Sequence, residues 1–385
     1  MSIKPLIRTI DPRNVQAVFS SDAASYGNRP LRHFAFSPLV GDGVMTLDGG
    51  RHEHARALIR PTFSKAHIEN EGAYDRHVQK LIGSLAGDGS TVDLQPFLER
   101  LDLDSSTEFI FGESVASLDD PPNALQASHK FPTAFNVAQQ GMGARFAMLP
   151  FNFLHRDEQF WGACRSIRQF VAECVQDAVT RREKNGNKIA MDYILVDNVL
   201  QESQSLTEIQ DTLMNVFLPG HDTIAITLSN IFFHLARHPE AWRKLRHQVL
   251  ELPEITTENV KRLDHLQYVI NETFRVNPPV SNMTRIAIRD TVLPTGGGPD
   301  KTAPVYVPKG TVVGCSFYNL HRRSDIYADD DGDTESWRPE RWEKLKLPQL
   351  AWKFMPFGGG THICPAQILA FNRVAFTVAR LRISW

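Results

Sequence analysis

The chain has 385 residues, 42% of them hydrophobic and 22% charged, with a formal net charge of −2. That balance is ordinary for a globular protein and gives no reason to expect nucleic acid or an acidic membrane surface as an obligatory partner. The four cysteines, Cys164, Cys174, Cys315 and Cys364, include no C-x-x-C pair. This removes the spacing of zinc ribbons and iron–sulfur sites and argues against a disulfide-built secreted fold. The first residues lack the apolar core of a signal peptide, and no stretch reaches bilayer-spanning length, so the chain reads as soluble and cytoplasmic.

In chain order, Asp11 and Pro12 open a short helix over 11–20, with Asp11 as N-cap and Pro12 in the first position. Residues 34–45 read as a loop containing Gly41 and Gly43, and Leu47-Asp48-Gly49-Gly50 as a turn. Helical spacing runs from His52 to Phe63 and is broken by Pro61, and 93–111 is a further amphipathic helix. Residues 131–143 and 146–153 are apolar and phenylalanine-rich without a clear period, and 161–182 is a long helix ending in a charged loop. The longest helical segment spans 205–238, capped by Ser205 or Thr207 with Glu208 in its first turn, and Pro239 punctuates its end. Helices follow over 239–251 and 263–276. Strand-forming residues then cluster at 285–292 and 305–313, around Gly296-Gly297-Gly298 and Pro308-Lys309-Gly310. No repeat or linker interrupts the chain. The expected architecture is mainly α with small β-sheets, as a single domain over 1–385.

Near the C-terminus stands Phe357-Gly358-Gly359-Gly360-Thr361-His362-Ile363-Cys364-Pro365-Ala366, followed by an apolar run with helical spacing from Ile368 to Leu381. Three glycines let a backbone approach a flat ligand closely. Cys364 is expected where a tight loop enters a helix, with amide N–H groups and the helix dipole favouring its thiolate. A thiolate held this way can ligate iron, including heme iron. The plainer alternative is a small buried apolar residue in a glycine-rich turn. The other three cysteines read as structural.

Upstream, Glu272 and Arg275 lie three apart on one helix face and can pair. They precede Pro278-Pro279 and, further on, Trp337-Arg338-Pro339-Glu340-Arg341-Trp342. Leu218-Pro219-Gly220-His221-Asp222-Thr223-Ile224 places proline and glycine inside a helix, where both require a reason. In His52-Glu53-His54-Ala55-Arg56 the two histidines do not share a helix face, which argues against a two-histidine metal site.

Together these segments resemble the cytochrome P450 family over residues 11–381. Phe357, Gly360, His362, Cys364 and Ala366 fit its heme-binding loop, and the resemblance implies heme b (iron protoporphyrin IX) with Cys364 as the iron ligand. Glu272, Arg275 and Arg341 match its buried Glu-Arg-Arg network, which holds the core on the heme side. The 218–224 segment is similar to its oxygen-activation motif, which implies a hydroxyl role for Thr223 and proton relay for Asp222. Pro219 and Ile224 depart from that motif, and His221 falls at its variable place. His52, Arg56, Arg285 and His362 match positions that contact heme propionates, for which cationic donors are chemically apt.

The implied reaction is monooxygenation of a hydrophobic substrate, with electrons from NADPH through NADPH–cytochrome P450 reductase. Arg60 and Lys65 are candidate contacts for that partner. Three segments resemble the fungal alkane and fatty-acid hydroxylating branch. They are Gly41-Asp42-Gly43 with Thr46-Leu47-Asp48-Gly49, then 54–63, and Leu293-Pro294 with Gly296 to Asp300. Members of that branch also serve secondary metabolism. A monomer without nucleic acid is expected. Set against the family, the chain reads as lacking an N-terminal membrane anchor of the kind that ties relatives to the endoplasmic reticulum. It also reads as lacking N-terminal sheet strands and the C-terminal β-hairpin. A truncated, non-catalytic heme-binding remnant is therefore the alternative reading.

Overall fold

The computed structural model describes residues 6–64, 71–85, 89–119, 130–149, 151–184 and 194–383. Asp11 begins the first helix, Pro12–Gln16, by accepting the Arg13 N–H at 2.9 Å, and a π-helical turn, Ala17–Ser21, continues it. The chain divides into two units, Met1–Gly27 with Ile226–Trp385 and Asn28–Ala225. Among the described residues no helix is long and apolar enough to cross a membrane.

The first unit carries the sheets. Strand β1 (Leu6–Thr9) runs parallel to β6 (Val312–Ser316), β3 (Asn282–Ala287) is antiparallel to β6, and β2 (Tyr26–Gly27) borders β3. β4 (Thr291–Gly297) and β5 (Ala303–Val307) form a separate antiparallel pair. N-terminal strands are thus present, which corrects the expectation of their absence. Four residues paired to a strand at the far end of the chain leave no local period to read. Each strand-forming stretch in the sequence covers the end of one strand and part of the next. Arg289 and Asp290 intervene in the first and the turn at Gly310 in the second, where φ is +86°. Val15, Val18, Phe19, Val307, Val313, Cys315 and Phe317 fill the core of this region. A smaller cluster gathers Tyr327, Trp342 and Leu350.

The second unit is helical. Residues 34–40, expected as loop, belong to a helix, Arg29–Val40, that buries Ala35, Leu39 and Val40. Pro38 disguises it. A proline inside a helix donates no hydrogen bond to the carbonyl four residues earlier, and here Arg145 donates to that carbonyl, Phe34 O, at 2.7 Å. The expected turn at 47–50 is also displaced. Gly49–Ile59 is helical, and the turn falls just before, where Thr46 N donates to Gly43 O at 3.0 Å. Asp48 instead accepts the N–H groups of Asn28 and Arg29, each at 2.8 Å, at the start of the preceding helix.

The phenylalanine-rich stretch with no period forms most of a helix, Lys130–Ala147. Its rings join an aromatic cluster, with Phe131 4.4 Å from Phe170 and Phe135 4.9 Å from Phe217 between centroids. Each fully buried ring contributes roughly 1.5–3 kcal/mol of apolar burial. Gln95–Phe111 and Glu158–Lys184 agree with the expected helices, and Cys164 and Cys174 are buried in the latter.

Candidate functional site

The cysteine loop is fixed by close backbone contacts. Gly360 has φ +66°, and a Cβ there would stand 1.7 Å from the Phe19 carbonyl oxygen, so only glycine fits. Cys364 N–H donates to Phe357 O at 3.0 Å and closes the loop. The Phe357 ring meets Phe274 edge-on, 5.2 Å between centroids. His362 Nδ1 lies 3.0 Å from the Thr361 hydroxyl. The following helix, Gln367–Ile383, starts just beyond Cys364.

Cys364 is half-buried, whereas Cys164, Cys174 and Cys315 are buried. Burial pushes those three thiols up to about 11, 12 and 12, which keeps them protonated at ordinary pH. A partly exposed thiol on a loop held close against the Phe19 backbone fits an iron ligand. Arg285 belongs to the same neighbourhood, for its guanidinium lies 4.6 Å from the centre of the Phe19 ring. Arg285 Nη1 also donates to Thr284 O at 2.9 Å.

The structure brings Glu272, Arg275 and Arg341 together. Glu272 and Arg275 are fully buried. Arg275 Nε and Nη2 each donate to the Glu272 carboxylate at 2.8 Å, a bidentate pair. Arg341 Nε stands 3.4 Å from Glu272 Oε1, and its Nη1 is 2.7 Å from Asp329 Oδ1. Trp342 Nε1 and the Arg338 N–H, both at 2.9 Å, complete the donors to Glu272. Arg275 Nη1 donates to the carbonyls of Thr334 at 2.7 Å and His321 at 3.1 Å.

His321, unmarked in the sequence, ties this network to the segment before the cysteine loop. Its Nε2 accepts the Met355 N–H at 2.8 Å, and burial drives its pKa down to about 3. The ring is therefore neutral and remains an acceptor at ordinary pH.

In the second unit His52 is buried and Arg56 half-buried, one turn apart on Gly49–Ile59. His54 points elsewhere and meets Glu208 at 2.9 Å. Among the described residues no cluster of three or more histidine, cysteine or acidic side chains is suited to hold a metal ion. Arg60 is exposed after the end of this helix; Lys65 lies outside the described residues.

The expected long helix is divided. Ser205 caps Leu206–Gly220 by accepting the Glu208 N–H at 3.3 Å, and a second helix, Thr223–Leu235, begins after His221 and Asp222. Nothing lies within 4 Å of a Cβ built on Gly220, so the break is open beside it. The Thr223 hydroxyl donates to Pro219 O at 3.1 Å. Asp222 Oδ2 accepts from Gln139 Nε2 at 3.3 Å, and His221 Nδ1 lies 3.0 Å from Leu218 O. The Ser106 hydroxyl donates to Gly220 O at 3.2 Å, and Ala225 N–H donates to Asp102 Oδ2 at 3.3 Å.

Gln139, Asp102 and Ser106 escaped sequence reasoning. For the last two a signal existed. Asp102, Asp104, Ser105, Ser106 and Thr107 place polar residues where a buried helix would carry apolar ones.

The family profile described as Cytochrome P450 matches residues 1–381. Cytochrome P450 52A13 of Debaryomyces hansenii is 34% identical, over 98% of this chain and 75% of its own length. Cytochrome P450 monooxygenase himC of Aspergillus japonicus is 35% identical, over 97% and 68%. The crystal structure of the cytochrome P450DA heme domain superposes with a TM-score of 0.78 at 21% identity. That match spans 97% of this chain and 80% of the other.

Proposed function

The chain belongs to the cytochrome P450 family, and on that premise we propose that Cys364 is its heme-iron ligand and that Thr223 and Asp222 handle protons at the helix break. The protein is a heme-thiolate monooxygenase that uses heme b, takes electrons from NAD(P)H through a reductase and acts on hydrophobic substrates. Nothing in the fold or the relatives favours a non-catalytic remnant over this activity.

The observation that carries the assignment is the loop around Cys364, seated on the Phe19 carbonyl through Gly360 and closed by the Cys364 N–H to Phe357 O bond. When bound, heme b supplies the chemistry that activates dioxygen and inserts one oxygen atom into a C–H bond. Cys364 supplies the thiolate. Arg285, His362, His52 and Arg56 supply donors of the kind that carboxylates accept. Glu272, Arg275 and Arg341 hold the chain that leads into the loop. The Thr223 hydroxyl and the Asp222 carboxylate carry protons, and Gln139 orients Asp222. A fatty acid, an alkane or a secondary-metabolite intermediate is the proposed substrate, the first two supported by the segments at 41–49, 54–63 and 293–300. The protein is read as acting as a monomer without nucleic acid, in keeping with its small net charge.

A carbon-monoxide difference spectrum of the reduced protein tests the ligand: a red-shifted Soret band is expected, and no heme uptake would overturn it. Spectral titration with a fatty acid, an alkane and a bulky aromatic compound then separates the substrate classes.

A further inference from the structure

The break in the helix between Gly220 and Thr223 is gripped from outside. Asp102 and Ser106 lie one turn apart on Gln95–Phe111, and both are buried, 1% and 3% exposed. The Ser106 hydroxyl reaches Gly220 O at 3.2 Å and Asp102 Oδ1 at 3.3 Å. Asp102 Oδ2 accepts the Ala225 N–H at 3.3 Å. Gly220 and Ala225 flank the four residues that include Asp222 and Thr223, so one pair of side chains holds both sides of the break.

The chemistry of each contact suits an interrupted helix. An ending helix leaves carbonyls, and a starting helix leaves N–H groups, without partners in their own ladder. Ser106 serves a carbonyl of the ending helix. Asp102 serves an N–H in the first turn of the starting one, where the positive end of the helix dipole also favours its charge. A buried carboxylate is retained at a cost unless it is hydrogen-bonded, and here one of its oxygens accepts the Ala225 N–H beside the break.

We propose that Asp102 and Ser106 are positioning residues that set the geometry of the helix break and so aim the Thr223 hydroxyl and the Asp222 carboxylate. This rests on the reading of those two groups as proton carriers. Neither Asp102 nor Ser106 touches the reacting atoms; their effect passes through the backbone of Gly220 and Ala225.

The test uses the heme-loaded protein with reductase and substrate, in wild type and in Asp102→Asn, Ser106→Ala, Ser106→Thr and Thr223→Ala. Amide hydrogen exchange over residues 219–226 reads the geometry without turnover. Heme content and the carbon-monoxide spectrum read folding, and product and peroxide per NADPH read coupling. Asp102→Asn and Ser106→Ala are expected to speed exchange in that segment by about tenfold, as loss of a buried hydrogen bond does. Coupling is expected to fall about threefold or more through misplacement of the proton carriers, with heme content and spectrum unchanged. Ser106→Thr, which keeps the hydroxyl, is expected to restore both readouts. If Asp102→Asn fails to load heme, Ser106→Ala carries the test.

Unchanged exchange in the variants would overturn the proposal whatever Thr223→Ala does. Faster exchange with coupling intact, while Thr223→Ala uncouples, would overturn it and leave Thr223 in place. Lost coupling in Asp102→Asn or Ser106→Ala with coupling intact in Thr223→Ala would uphold the break as the governing element and refute Thr223 as the carrier.

Discussion

At the scale of single residues, exposure separates Cys364 from its three buried counterparts. Cys364→Ala is expected to abolish the red-shifted carbon-monoxide band, since the other three thiols are buried. A retained band would exclude it as the ligand. Gly360→Ala forces a Cβ toward the Phe19 carbonyl at positive φ. It should destabilise the fold by about 2–4 kcal/mol, a loss that thermal or denaturant unfolding would register. Arg275→Lys keeps a charge but loses the fork that grips Glu272. The outcome expected is a low yield of heme-loaded protein rather than a slower turnover alone, and normal heme content in that variant would remove the network's structural role.

At the scale of elements, the divided helix from Leu206 to Leu235 concentrates the functional question. Pro219 lacks an N–H and Gly220 lacks a side chain, and together they let the ladder part just where Asp222 and Thr223 stand. In the structure the Thr223 hydroxyl donates to Pro219 O, so it is preorganised beside the break rather than free to rotate. Thr223→Ala is expected to uncouple the reaction. NADPH and oxygen would still be consumed, with more peroxide and severalfold less product per NADPH, because a positioned proton carrier is typically worth 10²–10⁴-fold in rate. Coupling equal to wild type would mean that protons travel another way.

At the scale of the whole molecule, buried neutral histidines make stability depend on pH. Burial lowers the pKa of His321 to about 3 and also lowers those of His234 and His265. In the unfolded chain these groups return to about 6.5. Below that pH the unfolded state therefore binds more protons than the folded state, and stability falls as the solution is acidified. His321 alone contributes a slope of up to about 1.4 kcal/mol per pH unit between pH 6.5 and 3. Denaturant unfolding at pH 7.5 and 5 should show this loss, and His321→Gln should flatten it. Equal stability of the wild type at the two pH values would refute the neutral buried state of His321.

The sequence by itself determined what depends on neighbours along the chain. The Asp11 cap, the long helix now seen as Glu158–Lys184, and the Glu272–Arg275 spacing all rest on local hydrogen bonds or helical period. So does the glycine and cysteine pattern from Phe357 to Cys364. The choice of Ser205 over Thr207 as a cap came with the structure. Tertiary structure decided what depends on distant partners. β1 exists only through pairing with β6, and the helix Arg29–Val40 tolerates Pro38 because Arg145 takes up the carbonyl of Phe34. The need for glycine at position 360 arises from the Phe19 carbonyl. Asp102, Ser106, Gln139 and His321 gained their roles the same way, from backbone and side-chain groups far along the chain. Local propensity is written in consecutive residues, whereas a hydrogen bond between remote segments is specified only once the core has brought them together.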